Sequence, residues 1–317
     1  MKALVVQKIG QSPIYMDFAD PIVGPDEVRV AVKAAAMSQL VKSRASGGHY
    51  SSSRMLPFVA GIDGVGLLDD GRRVYFVLPR PPFGSMAERT VVSAAQCLPL
   101  PPELDDLTAA AIANPGMSSW VAYAERANLK AGETVLVNGA TGTAGRLAVQ
   151  IAKHMGAAKV IATGRDQAAL RDVAALGADV TIPLVADGDA LEQRFIEQFA
   201  ERIDVVVDYL WGPSAERLLI AGAKAGPDAI PIRFVQIGSV SGADITLPSA
   251  VLRSSPIELM GSGHGSISLE RHLGAVTALL RAVLPGNFKI AFKSAALSGG
   301  SQAWNADDSK NRTVFTV

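Results

Sequence analysis

One segment, from Thr134 to Thr163, constrains the fold of this chain more than any other part of the sequence. It begins with a short apolar run, TVLVN, of the kind that is buried in parallel sheets. The glycine-rich sequence NGATGTAG, at residues 138 to 145, overlaps its end. A helix-like stretch and a second apolar run, KVIAT, follow, so the segment predicts a βαβ unit.

The stretch after the glycines has the periodicity of a helix with one buried face. Gly156 ends this predicted helix, shortly before the second strand begins. The apolar residues recur at i, i+3, i+4, i+7, i+8 and i+11, and they are Ala144, Leu147, Ala148, Ile151, Ala152 and Met155.

The glycines of the turn predict a dinucleotide site. A diphosphate must come close to the backbone and lie against the unpaired N–H groups at the start of a helix, where the macrodipole favours negative charge. The spacing departs from GxGxxG by one position, and a plain strand-to-helix turn is the alternative. Within a complete βαβ unit the turn favours cofactor binding. The predicted contacts are Gly139, Thr141, Gly142, Thr143, Ala144 and Gly145.

The end of the second strand predicts which dinucleotide is bound. An acid there would accept a hydrogen bond from the ribose 2′-OH of NAD and would repel the 2′-phosphate of NADP. Here the strand ends at Gly164 and Arg165, and a guanidinium pairs well with phosphate. An Arg165 that simply lies in solvent is the alternative. We expect NADPH, with both residues as cofactor contacts.

Length, composition and charge limit the class of protein. With 317 residues and 49% apolar content, the chain can form two hydrophobic cores. Its 30 basic and 30 acidic residues argue against a general nucleic-acid binder. A single cysteine, Cys97, excludes an intramolecular disulfide and suits a reducing compartment. Because no apolar run approaches the roughly 18 residues of a membrane span, we expect a cytoplasmic protein without a membrane partner.

The two halves of the sequence differ in pattern. The first hundred residues hold short valine-rich runs, one of them at residues 86–92, between turn sequences such as GPDE and DDGR, which predicts short strands in an irregular, mainly β domain. From Thr108 onward, helix-like and strand-like segments alternate, among them a helix near residues 167–176 and a strand at residues 205–208, which is typical of a doubly wound parallel sheet. We therefore expect an α/β protein with two domains.

Several segments also resemble a known family. They are LPFVAGIDGVG (56–66), FGSMAERTVV (83–92), ANPGMSSWVAY (113–123), LKAGETVLVNGATGTAGRLAVQIAKHMGA (129–157), LGADVTIP (176–183) and NRTVFTV (311–317). Their order and spacing resemble the medium-chain dehydrogenase/reductase superfamily, in its zinc-independent quinone oxidoreductase branch. The resemblance implies a GroES-like, mainly β catalytic domain at residues 1–115 and 266–317. It also implies a Rossmann NADPH-binding domain with a doubly wound parallel sheet at residues 116–265, and a homodimer.

The resemblance also bears on metal binding. Many members of the superfamily hold a catalytic zinc with Cys and His in the segments that correspond to AAAMSQL and AGIDGVG. Here the first segment supplies Met37, Ser38 and Gln39, and the second supplies Ile62 and Asp63, so we expect no zinc. Without a Lewis acid, the reaction expected is transfer of a hydride from NADPH to a quinone or an α,β-unsaturated carbonyl compound.

A proton donor must complete such a reduction. Members of this branch often have a tyrosine a few residues before the PF-x-x-G segment, and Tyr50 matches that place. His49 is a second candidate, because its unperturbed pKa suits proton transfer better. Tyr50 could instead only form part of the pocket wall.

Further cofactor contacts are expected beside the strand ends of the Rossmann domain. Asn114 precedes the entering helix and could equally be a helix cap. Tyr209 follows the fourth strand, Gly238 and Ser239 follow the fifth, and His264 lies in a glycine-rich loop after the sixth. Plain turn chemistry is the alternative for these glycines.

Two other functions remain open from the sequence. An enoyl-thioester reductase would use the same fold with a groove for a pantetheine arm. A protein that binds NADPH for sensing or interaction, without catalysis, would also share the fold.

Overall fold

The computed structural model describes residues 1–48, 55–185, 188–263, 265–306 and 311–317. It divides into two compact units. The first unit comprises Met1–Asn114, Leu280–Leu284 and Ile290–Val317, and the second comprises Pro115–Leu279 and Pro285–Lys289. The boundary expected from the sequence was residue 266, whereas the second unit also includes the helix Leu269–Ala282 as far as Leu279. The candidates His49, Tyr50 and His264 lie outside the described residues.

The strands and helices of the described residues are as follows. The strands are β1 (Lys2–Val6), β2 (Ile14–Asp17), β3 (Glu27–Ala36), β4 (Phe58–Val59), β5 (Asp63–Leu68), β6 (Arg73–Val77), β7 (Arg89–Ser93), β8 (Cys97–Pro99), β9 (Thr134–Asn138), β10 (Lys159–Gly164), β11 (Val180–Pro183), β12 (Val205–Asp208), β13 (Ile232–Gln236), β14 (Ile257–Gly261), β15 (Phe292–Ala296) and β16 (Arg312–Thr316). The α-helices are α1 (Gln39–Ala45), α2 (Asp106–Val121), α3 (Thr143–His154), α4 (Gln167–Ala175), α5 (Gly188–Ala200), α6 (Gly212–Ala225), α7 (Ser249–Arg253), α8 (Leu269–Ala282) and α9 (Gly300–Ala303).

The first unit is built from two sheets. Within the described residues, one sheet has the order β2-β1-β4 and the other the order β15-β16-β3-β5-β6-β8, with β7 also paired to β3. Inward residues alternate with exposed ones along β3, and Val30 and Val32 are buried in the core with Leu4, Phe76 and Phe315. The last strand of the chain, β16, pairs antiparallel with β3. The sequence therefore returns to the β unit at its end.

The second unit contains a parallel sheet of six described strands. Their order is β11-β10-β9-β12-β13-β14, so the direction of winding reverses between β9 and β12. Val135, Leu136 and Val137 of β9 are fully buried, as expected for a strand covered on both faces. Of the predicted apolar face of α3, Leu147, Ala148, Ile151 and Ala152 are buried, and Ala144 and Met155 are partly exposed. The doubly wound parallel sheet is confirmed.

Helix α2 differs from the sequence-based prediction. Asn114 and Pro115 were expected to precede a helix, but they lie inside the single helix Asp106–Val121. Pro115 has no N–H to donate to the carbonyl of Ala111, which would normally break the helix. In the structure, Arg312 Nη1 donates to the Ala111 carbonyl at 2.9 Å. Because this side chain replaces the missing donor, the helix continues, and Asn114 is not a helix cap.

Candidate functional site

The reversal of winding between β9 and β12 marks the place where an open parallel sheet binds ligands. In such sheets the ligand lies outside the carboxyl ends of the strands, at this switch point. β9 ends at Asn138 and leads into the glycine turn. β12 ends at Asp208 and leads into Tyr209 and Leu210. The predicted dinucleotide turn therefore lies at the topologically favoured position.

Three glycines near this turn are required by the packing of the protein itself. Gly139 has φ +90°, a conformation that L residues with side chains rarely adopt. A Cβ on Gly145 would lie 2.3 Å from the carbonyl oxygen of Gly139. A Cβ on Gly164 would lie 2.4 Å from Cγ2 of Thr141. These glycines let the helix and the second strand approach the turn closely.

Gly142 is different, because the protein itself does not require a glycine there. It is the exposed N-cap of α3, with φ −77° and ψ 167°, which any residue can adopt. A Cβ at this position would meet only the Gly139 carbonyl oxygen, at 4.0 Å. N-caps usually have a side chain that accepts from the first N–H groups of the helix, and a glycine cannot do this. The bare helix start and the open space fit the diphosphate of a dinucleotide.

A buried hydrogen-bond network connects the ends of β9, β10 and β12. It consists of Asn138, Thr163 and Asp208, which are all fully buried. Asn138 donates through Nδ2 to Asp208 Oδ1 at 2.8 Å, and the Thr163 hydroxyl donates to Asn138 Oδ1 at 2.7 Å. Burial raises the pKa of Asp208, while hydrogen bonds from Leu210, Trp211 and Asn138 oppose that rise.

Tyr209 lies at this edge of the sheet, but its hydroxyl has a partner within the protein. The hydroxyl is 2.7 Å from Oγ of the buried Ser119, and burial raises the pKa of Tyr209 to about 12. Ser119 also donates to the carbonyl of Ala144, in the first turn of α3, at 3.3 Å. Sequence reasoning missed Ser119, because only the fold brings it to the glycine turn.

Gly238 and Ser239 follow β13 at the same edge. The N–H of Gly238 donates to the carbonyl of Asp208 at 3.1 Å. A Cβ on Gly238 would lie 2.7 Å from the carbonyl oxygen of Tyr209, so close backbone packing explains this glycine. Ser239 is exposed. Both residues are next to the loop that follows β12.

Arg165 is exposed immediately after β10. The next residue, Asp166, could have taken the place of a ribose-binding acid. Its Oδ1 instead accepts from the backbone N–H groups of Ala168 at 2.8 Å and Ala169 at 3.2 Å, and so it caps α4. Of the two charged residues that follow β10, Asp166 is used as a helix cap and Arg165 is not.

A second buried polar cluster lies in the first unit, and it includes one of the positions compared with zinc ligands. Asp63 is buried and accepts from the Tyr75 hydroxyl at 2.6 Å. Burial raises the pKa of Asp63, and the charge of Arg312 and the hydrogen bond from Tyr75 lower it. Arg312 also donates through Nε to the carbonyl of Met37 at 2.8 Å.

The segment AAAMSQL, which was also compared with zinc-binding segments, has a structural role as well. Ser38 is the N-cap of α1, where its Oγ accepts from the N–H of Val41 at 3.1 Å. Across residues 1–48, 55–185, 188–263, 265–306 and 311–317, no group of three or more His, Cys, Asp or Glu side chains is arranged to hold a metal ion.

Comparison with known proteins agrees with this geometry. A family model described as "Zinc-binding dehydrogenase" matches residues 144–276. A protein of Emericella nidulans named "Probable NADPH-dependent quinone reductase tdiC" is 30% identical over 99% of this chain and 99% of its own length. The chain belongs to the quinone reductase branch of the medium-chain dehydrogenase/reductase superfamily. The family expectation from the sequence is confirmed.

Two further matches extend the comparison within this superfamily. The "NADPH-dependent alkenal/one oxidoreductase, chloroplastic" of Arabidopsis thaliana is 32% identical over 59% of this chain and 51% of its own length. The crystal structure of a probable oxidoreductase from Mycobacterium abscessus is 30% identical, has a TM-score of 0.78, and covers 100% of this chain and 99% of that one. The GroES-like and Rossmann architecture is therefore that of known superfamily members.

The two segments that the sequence comparison set beside zinc-binding segments have structural roles here. One supplies a helix cap, Ser38, and the other a buried carboxylate, Asp63, which accepts from Tyr75. Among the described residues, no helix has both the length and the apolar character needed to cross a membrane.

Proposed function

We propose that this protein is an NADPH-dependent oxidoreductase that reduces quinones or α,β-unsaturated carbonyl compounds. The observation that carries the proposal is Gly142, because its missing side chain leaves bare helix N–H groups and open space that the packing of the protein does not explain. The relatives named for NADPH-dependent reduction of quinones and of alkenals or enones support the reaction type.

The residues of the chain contribute binding and orientation. The N–H groups at the start of α3 would hold the diphosphate, and the helix macrodipole would stabilise its charge. Bound NADPH supplies the hydride. Reduction at the β-carbon of an enone places negative charge on oxygen, so a proton donor must lie near the acceptor. For this role we propose Tyr50, with His49 as the alternative.

The direct test of the activity is the oxidation of NADPH, followed at 340 nm with a panel of acceptors. The panel contains 1,4-benzoquinone, an alkenal, a cyclic enone and a short enoyl thioester. Turnover with a quinone or an enone is expected. Turnover with the enoyl thioester alone would change the substrate class. Tight NADPH binding without turnover on any acceptor would favour a non-catalytic, NADPH-binding function.

The preference for NADPH is proposed to depend on Arg165. This residue is exposed where β10 ends, and the neighbouring Asp166 is used as a helix cap. The Arg165→Ala variant is expected to bind NADPH about tenfold more weakly, because a charge-assisted hydrogen bond to phosphate is lost. Its affinity for NADH should not change. Equal losses for the two cofactors in fluorescence titrations would remove the phosphate assignment.

The Tyr50→Phe and His49→Ala variants separate the two candidate donors. Loss of the proton-donating group, the Tyr50 hydroxyl or the His49 imidazole, should lower kcat about a hundredfold, within the usual range for general acid catalysis, and leave NADPH binding intact. If neither variant lowers kcat, neither residue is the proton donor.

A homodimer is a further proposal, and β14 is the strand that could carry it. This strand forms one edge of the parallel sheet, and its Leu259 is 38% exposed. An open edge with an exposed apolar residue can pair with a second copy of itself. Light scattering after size-exclusion chromatography should give twice the mass of the chain. Leu259→Lys should shift the protein towards the monomer.

A further inference from the structure

We propose that Asp208 is a positioning residue for the dinucleotide, whose buried carboxylate holds the glycine turn in the conformation that presents the N–H groups of α3. This inference rests on the proposed function, because the turn must bind a dinucleotide for its conformation to matter. Asp208 need not touch the cofactor. It acts through the residues on either side of the turn.

The first observation is the set of hydrogen bonds that Asp208 accepts. Its Oδ1 accepts from Asn138 Nδ2 at 2.8 Å, from the N–H of Leu210 at 2.9 Å and from the N–H of Trp211 at 3.1 Å. A carboxylate is an acceptor with no proton of its own, so it can satisfy several donors at one place. Because the N–H of Trp211 also donates to Oδ2, at 3.1 Å, the NH₂ group of an asparagine at position 208 would face at least one of these donors in either orientation.

The second observation is a path from Asp208 to the start of the turn. Because Asp208 fixes the NH₂ end of Asn138, the oxygen of that amide faces Thr163 and accepts from its hydroxyl at 2.7 Å. The Thr163 oxygen is then free to accept from the N–H of Gly139 at 3.1 Å. Gly139 is the first residue of the glycine turn. Each member of this path has a fixed donor and acceptor role.

The third observation is the loop that follows β12. Asp208 holds the backbone of Leu210 and also of Trp211, which has the left-handed φ of +58°. The Leu210 side chain packs on the turn, since a Cβ on Gly139 would lie 2.8 Å from its Cγ. Asp208 therefore controls the turn from two sides, through Asn138 and through Leu210.

The other end of the same strand offers a matched control. Asp204 precedes β12, is 2% exposed, and accepts from the N–H of Thr134 at 2.9 Å and from Arg202 Nε at 2.7 Å. It is thus also a buried carboxylate that joins β9 to β12. It lies at the amino edge of the sheet, away from the turn. A role in stability alone would make the two carboxylates equivalent.

The experiment compares Asp208→Asn, Asp204→Asn and the reciprocal double variant Asn138→Asp/Asp208→Asn in the full chain. NADPH affinity is measured by fluorescence titration, KM and kcat with a quinone, and stability by thermal unfolding. Asp208→Asn should raise the Kd and KM for NADPH about tenfold or more and leave kcat at saturating NADPH within about twofold. Asp204→Asn should lower the unfolding temperature without changing the Kd.

The double variant tests the direction of the contact. An introduced amide at position 208 can donate to an introduced carboxylate at position 138 with its nitrogen in the place of Oδ1, while its oxygen, in the place of Oδ2, still accepts from the N–H of Trp211. The double variant should therefore bind NADPH more tightly than Asp208→Asn does. If Asp208→Asn does not fold, the pair Thr163→Val and Thr163→Ser decides instead. Only the valine variant should then weaken NADPH binding.

Each result has a defined meaning. A folded Asp208→Asn protein with the wild-type Kd overturns the inference and leaves the proposed function standing. Equal loss of NADPH affinity in Asp208→Asn and Asp204→Asn also overturns it. If the Thr163 pair is needed, equal affinities in its two variants have the same consequence. A wild-type protein that does not bind NADPH overturns both the inference and the proposed function.

Discussion

The two units bury carboxylates in contrasting ways. Asp63 in the first unit accepts from Tyr75 through Oδ2, but its Oδ1 has no hydrogen-bond partner within the described part of the chain. Asp208 in the second unit accepts from a side-chain amide and two backbone N–H groups. Burial raises the pKa of both.

The two carboxylates also differ in the parts of the protein that they connect. Asp63 belongs to a cluster with Arg312, whose guanidinium also satisfies carbonyls of Met37 and Ala111. That cluster joins segments that are far apart in sequence and contributes to the stability of the first unit. The donors of Asp208 belong to a turn that has open space at Gly142. The first cluster holds the first unit together, and the second supports the turn that we propose binds the dinucleotide.

The largest expected effect is the loss of stability in a variant that breaks the cluster of Asp63 and Arg312. Arg312→Leu should destabilise the protein by about 3 to 5 kcal/mol, because it leaves the charge of Asp63 buried without its cation and the Ala111 carbonyl without a donor. Urea unfolding measures this loss. Arg312→Lys keeps the charge but not the several donors of the guanidinium, so its unfolding free energy should lie between those of the wild type and Arg312→Leu. Unchanged unfolding of Arg312→Leu would mean that the cluster does not stabilise the unit.

The next effect separates packing from binding inside the turn. Gly145→Ala should cost about 2 to 3 kcal/mol of stability, because its Cβ would collide with the backbone of Gly139. Gly142→Ala should change stability by less than about 0.5 kcal/mol, since its Cβ has room. It should nevertheless weaken NADPH binding about tenfold, by occupying the space for the diphosphate. Thermal unfolding and fluorescence titration on both variants check the contrast, and wild-type affinity in Gly142→Ala would contradict it.

The smallest effect is a pH dependence of stability. The pKa of Asp63 is raised in the folded protein above its ordinary value of 3.8. The folded state therefore holds the proton more tightly, and this contribution to stability is present below pH 3.8 and is lost as the pH rises through the raised pKa.

Measurement of unfolding free energy against pH should show this loss in the wild type. The slope is limited to about 1.4 kcal/mol per pH unit for one proton. Asp63→Asn should lack this part of the pH dependence, while Asp204→Asn should retain it. Parallel curves for the wild type and Asp63→Asn would show that Asp63 does not titrate in this window.

Much of the second unit could be predicted because its signals are local. The strand Val205–Asp208 has the predicted bounds, and α3 and α4 agree closely, since apolar periodicity and glycines act within a few residues. In the first unit the predicted strand at 86–92 begins only at Arg89. Met86 is buried, and its carbonyl instead accepts from the N–H of Leu4. No local sequence pattern predicts this pairing.

The candidate site shows the same division. The glycine turn was found from its sequence, whereas Ser119 and the roles of Asn138, Thr163 and Asp208 were not. The contacts that join these residues across the fold span 25 to 90 positions of sequence, and single polar residues have no period that would mark them. The roles of Tyr50, His49 and His264 stay predictions.

By itself, the sequence determined the βαβ unit, the parallel sheet and the family of the protein, because these depend on repeating apolar patterns and on glycines at short spacing. Tertiary structure alone decided that α2 continues through Pro115, because a guanidinium from the last strand supplies the donor that proline lacks. It also decided which glycine of the turn the fold itself does not need. That distinction depends on which atoms surround each Cα, and only the folded chain brings those atoms together.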